Sequence, residues 1–239
     1  MNNMKKISLL AMAALLAPTM LSTGVSAATT PTSNDTQVNA QFTVSSTDTT
    51  NPTPPGGSVD PSQPNKPSNP GNSGLNPTST FALSYIPYQF DFGTTDLTGK
   101  SSIDVTATPQ SGKTFNVGVK NTTHTTQGWT LSALLKGDLA TYGAKVNTTI
   151  SANSSKVNNN GTLQALPTSN MITVKDNAQI SSTSFPIMTG NNGNVFAGTY
   201  DLDLGKVSLN IPDASKIPSG TASGTITWNL AQTPQPPHP

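Results

Sequence analysis

Apolar side chains recur at every second position in short runs along this chain, and that periodicity limits what it can fold into. Trp129, Leu131 and Ala133 alternate with Thr130 and Ser132; Ile226, Trp228 and Leu230 alternate with Thr227 and Asn229. On a β-strand, residues two apart share a face, so each run presents one apolar and one polar side. The pattern returns at Ile103, Val105 and Ala107, at Phe115, Val117 and Val119, at Tyr200, Leu202 and Leu204, and at Val207, Leu209 and Ile211. Pro109, Gly190-Asn191-Asn192-Gly193, Pro212 and Pro218 punctuate these runs. Strong helix formers are thin, because the chain has no Glu and no Arg. Short strands separated by turn signals predict an all-β, β-sandwich-like domain with long polar loops.

The ends of the chain read differently. Lys5 and Lys6, an apolar stretch from Ile7 to Ala17 and the small residues Val25-Ser26-Ala27 form a secretory signal peptide over residues 1–27, too short for a permanent membrane anchor. Residues 28–232 are then the mature domain, and 233–239 a Pro-rich tail. Gln37–Val44 alternates through Val38, Ala40, Phe42 and Val44 and is expected as a strand of the main sheet system. Residues 51–77 carry eight prolines and are expected as a flexible, polyproline-like surface excursion. Phe81–Ile86, Ala144–Ser151, Met171–Lys175 and Val195–Ala197 complete the expected strands, and Asn153–Gly161 reads as a polar loop.

Composition excludes several functions. No Cys means no disulfide, in spite of an oxidising destination. Removing Lys5 and Lys6 with the signal takes the formal charge from +1 to −1. A nearly neutral chain without Arg lacks both the basic field and the bidentate fork used on nucleic acid. No catalytic constellation is visible, so the chain is not expected to be an enzyme, and no cofactor is expected. His124 lies in a Thr-rich turn with no partner in sequence, and two histidines without Cys make a poor zinc set. Asp201 and Asp203 flank Leu202 and share a strand face, which reads as a solvated outer face rather than a cation or acid/base site. No sortase signal and no hydrophobic stretch follow the signal peptide; Leu166-Pro167-Thr168-Ser169-Asn170 only begins like the former. Neither covalent wall linkage nor a membrane span is expected.

Both tryptophans sit in Trp-x-Leu, one internal and one near the end, and Tyr85–Gly93 is an aromatic-Gly segment ahead of the first. In these features, their order and the leading signal, the chain resembles WxL-domain cell-surface proteins of Gram-positive bacteria. The resemblance implies non-covalent binding to peptidoglycan and partners among WxL-interacting proteins and other WxL surface proteins. It makes Trp129, Leu131, Trp228 and Leu230 the candidate ligand-binding residues. Their indoles could stack on sugar rings, or could be core anchors, since Trp is mostly buried in folded chains. If the two motifs lie on neighbouring strands, pairing would bring the rings together. The alternative function is a protein-interaction scaffold or adhesin held at the surface by a partner.

Overall fold

The computed structural model describes residues 36–60, 62 and 66–234. The expected signal peptide and residues 235–239 of the expected tail lie outside the described residues. The chain divides into two units after Phe42. In the first, residues 36–42 form no strand, and Val38 and Phe42 are 87% and 90% exposed. The expected strand Gln37–Val44 is therefore not formed among the described residues, and Val44 too is exposed. Alternation supplies an apolar stripe, but only a paired backbone makes a strand.

The described residues of the second unit form fourteen strands. In chain order they are β1 (Asn72–Gly74), β2 (Phe81–Pro87), β3 (Ile103–Ala107), β4 (Asn116–Asn121), β5 (Trp129–Gly137), β6 (Lys145–Asn147) and β7 (Ser155–Asn159). There follow β8 (Thr162–Gln164), β9 (Ile172–Val174), β10 (Gln179–Ile180), β11 (Phe185–Gly190), β12 (Gly198–Asp203), β13 (Val207–Ile211) and β14 (Gly224–Gln232). One short helix, α1 (Asp138–Thr141), follows β5. The strands form three antiparallel sheets in the orders β1-β2-β4-β12-β7-β8, β10-β6-β13-β3 and β14-β5-β11-β9. The fold is all-β and sandwich-like.

One apolar core runs between the sheets. β5 buries Trp129, Leu131, Ala133 and Leu135 and turns Thr130, Ser132 and Leu134 outward, as the alternation requires. The Trp129 ring meets Tyr200 of β12 at 5.6 Å between centroids, which joins two sheets. Burying each such side chain contributes about 1.5–3 kcal/mol. Two glycines leave room for aromatic rings: a Cβ on Gly190 would stand 2.3 Å from the Trp129 indole, and one on Gly118 would stand 2.4 Å from the Tyr85 ring.

Some strands have no apolar alternation to announce them. β7 occupies the expected polar loop Asn153–Gly161 and β8 follows directly after it, while β11 contains Pro186, which the sheet accommodates with a register shift between Pro186 and Met188. Residues 195–197 form no strand, and Ala144–Ser151 shortens to β6.

The Pro-rich passage is bound to the first sheet rather than free of it. Pro54, Pro55, Asn69, Pro70 and Asn72 are buried, Asn72–Gly74 pairs with β2, and Ser58 bridges Asn72. Asn72 Nδ2 donates to the Pro55 carbonyl and to Asn116 Oδ1, both at 3.3 Å, while Asn116 N donates to Asn72 Oδ1 at 2.8 Å. Asn158 Nδ2 donates to the Thr53 carbonyl at 2.9 Å and to the Tyr85 hydroxyl at 3.0 Å. Proline removes donors from the passage, but the side chains of its own Asn72 and of Asn158 from β7 satisfy the Pro55 and Thr53 carbonyls.

At the centre of this network stands Asp201, which is fully buried and not on a solvated face. Oδ1 accepts from the Tyr85 hydroxyl at 2.8 Å and Oδ2 from Asn116 Nδ2 at 2.9 Å. The Tyr85 and Asn116 side chains close over the face of β12 that carries Asp201, so alternation within β12 alone misreads its environment. Asp203, at the strand end, is half-buried and accepts from Gly205 N at 2.8 Å.

Candidate functional site

β5 and β14 carry the two Trp-x-Leu motifs and pair antiparallel with Leu131 opposite Leu230, Ala133 opposite Trp228 and Trp129 opposite Gln232. Directly opposed residues share a sheet face, so all four motif side chains lie on one face. The indoles are offset by four positions, about 13 Å along the strand, with the leucine pair between them. They are neighbours in the sheet but do not stack on each other.

Their environments differ. Trp129 and Leu131 have no exposed surface, and the Trp129 N–H has no hydrogen-bond partner among the described residues. Trp228 and Leu230 are half-buried, because β14 is an edge strand and lacks a neighbour on one side.

Trp228 lines an open groove of about 240 Å³. One wall is Ile226 and Trp228 of β14; the other is Tyr88, Gln89, Phe90 and Phe92, from the segment that follows β2. Sequence reading singled out both pieces but did not bring them together, since they are far apart in the chain. The aromatic wall is fixed. Phe90 packs edge-on against Phe115, with centroids 4.8 Å apart and planes at 80°. Asp91 N donates to Asn69 Oδ1 at 2.7 Å, and Asn69 Nδ2 returns a bond to the Asp91 carbonyl at 2.9 Å. The Asp91 carboxylate accepts from the Ser68 hydroxyl at 2.5 Å and from Gly93 N at 2.9 Å, and these bonds hold it below its ordinary pKa. Lys66 donates to the Tyr88 hydroxyl at 3.3 Å and lies over its ring at 4.9 Å. The end of the Pro-rich passage thus braces the groove wall.

A groove lined by aromatic rings, with Gln89 among its lining residues, suits a ligand that is flat, partly apolar and rich in hydroxyls or amides. A second cleft of about 600 Å³, with Lys156 and Asp176 among its lining residues, contains no aromatic ring. Among the described residues no three His or Asp side chains converge as a metal site, and His124 sits in a turn at φ +53°.

Residues 29–234 match the model of the WxL domain, described as surface cell wall-binding. The chain belongs to the WxL-domain family. No curated protein and no solved structure matches it. Membership places the WxL domain at the cell surface, attached to the wall, in a family defined by binding. No described helix is long and apolar enough to cross a membrane.

Proposed function

We propose that this WxL domain holds the protein non-covalently on the peptidoglycan of a Gram-positive wall, with the Trp228 groove as its contact. The observation that carries this is the meeting of Trp228 with Tyr88, Phe90 and Phe92 around one open groove. Trp228 stacks on a sugar ring, and Gln89 and the Tyr88 hydroxyl bond to its hydroxyl and acetamido groups. Leu230 extends the apolar face beside Trp228. Trp129 and Leu131 act from the core by fixing the strand on which β14 is registered. Bound in this way, the protein serves as a component of a cell-surface assembly with WxL-interacting and other WxL proteins.

The test is co-sedimentation of the secreted chain with protein-free peptidoglycan sacculi. Wild type pellets with the sacculi; Trp228→Ala and Tyr88→Ala, each still folded by thermal melting, remain in the supernatant. Sacculi that bring down the folded groove variants as fully as wild type would overturn the assignment. No binding by wild type would favour a scaffold held at the surface through a protein partner.

A further inference from the structure

Among the described residues, two stretches have backbone with no strand beside it. The first is Gln37–Val44, whose alternating pattern fits a strand but which forms none among the described residues, with Val38, Phe42 and Val44 exposed. The second is the outer edge of β14. That strand is nine residues long, keeps an unbroken register with β5, and contains no charge and no proline. Among the described residues no backbone hydrogen bond reaches its outer side. Native sheets guard such edges with charges, prolines, bulges or brevity. The other edges here are guarded: β1 meets Ser58, β3 carries Asp104, and β8, β9 and β10 have two or three residues each.

We propose that Gln37–Val44 of one molecule adds to the free edge of β14 in a second copy, lengthening its sheet by one strand. Both segments are uncharged and of nearly equal length. Strand addition would satisfy the open amides and carbonyls of both. The stripe of Val38, Ala40, Phe42 and Val44 continues the half-buried stripe of Ile226, Trp228 and Leu230. Among the described residues the donor belongs to no strand, and a second copy supplies a donor and an open edge at once. Reciprocal exchange closes a symmetric dimer. This inference does not rest on the peptidoglycan reading.

The experiment follows the mass of the secreted chain by light scattering across a concentration series. Wild type doubles its mass as concentration rises. The double variant Val38→Asp/Phe42→Asp stays at monomer mass with an unchanged melting temperature, because neither side chain is in the core. A synthetic peptide of the Gln37–Val44 sequence, added to that variant, slows hydrogen exchange at amides of residues 225–232; a scrambled peptide does not. A monomeric wild type at every concentration would overturn the proposal. So would association that persists in the double variant, which points to β14 pairing with itself, or peptide protection that falls elsewhere.

Discussion

Trp129 and Trp228 share one face of one sheet, yet one is sealed in the core and the other stands half-open on a groove. The difference comes from strand position. β5 has neighbours on both sides, whereas β14 has β5 alone. The two copies of the motif therefore stand in different environments, and substitutions at them should differ in their cost to stability.

Trp129→Ala should destabilise the fold by about 3–5 kcal/mol, the range for removing a large buried ring. Trp129→Phe should cost less, because the indole N–H has no partner to lose. Gly190→Ala should also destabilise strongly, since its methyl would overlap the indole. Trp228→Ala should cost no more than about 2 kcal/mol. Denaturant titration of the four variants gives the order, and equal losses at both tryptophans would contradict this division.

Asn69→Ala should weaken wall binding without touching the groove. Its side chain donates to and accepts from the backbone of Asp91, which lies between Phe90 and Phe92. Losing both bonds loosens that wall, so sacculus binding should fall by about tenfold or more, equivalent to about 1.4 kcal/mol. The stability loss should be about 1–2 kcal/mol. Binding unchanged in a folded Asn69→Ala chain would show that the aromatic wall is not the contact.

The architecture was legible where a strand has one buried face. β5, β12, β13 and β14 announce themselves because solvent lies on one side and core on the other, or because aliphatic residues mark the buried positions. β7, β8 and β11 were not legible: their pairing comes from neighbours, and Asn, Ser, Lys and Pro carry no alternation. Gln37–Val44 failed in the opposite direction, with a strand pattern and no strand among the described residues. Asp201 was misread because its burial on β12 is set by the Tyr85 and Asn116 side chains. The groove was half legible. Its pieces, Tyr85–Gly93 and Trp228, stood out, but their meeting depends on long-range packing.

Lys120 ties the start of the second unit to the sheet. It is fully buried in β4 and donates to the Asp48 carbonyl and, at 3.3 Å, to the Pro77 carbonyl, with the Asp48 carboxylate 3.5 Å away. Lys120→Met keeps the packing and removes these bonds. The expected cost is about 1–3 kcal/mol, for acceptors left without a donor. Limited proteolysis should cut residues 43–52 faster than in wild type, because Asp48 loses its bond to β4 through Lys120. An unchanged digestion pattern would show that the remaining bonds, from Asp48 N to the Thr78 carbonyl, from Asn51 to the Pro77 carbonyl and from the Thr122 hydroxyl to Asp48, suffice to hold the segment.

Stability should rise as pH falls from neutrality, the reverse of a protein held by paired carboxylates. Burial pushes the Asp201 pKa up to about 7, and the bonds from Tyr85 and Asn116 only partly offset this. In the unfolded chain the group titrates near 3.8. Between these values the native state binds the extra proton, so stability falls as pH rises through the window. The full effect is at most about 4 kcal/mol. Asp48 acts the other way. The Thr122 hydroxyl and the Thr50 amide, with a smaller contribution from Lys120, lower its pKa to about 2, so its contribution is lost as pH falls below about 4. Together they place maximum stability near pH 4 to 5. Asp201→Asn should abolish the decline between pH 4 and 7 while keeping the loss in stronger acid. Denaturant midpoints measured from pH 2 to 8 test this, and a wild-type profile that climbs towards pH 7 would show that Asp201 is charged in the folded chain.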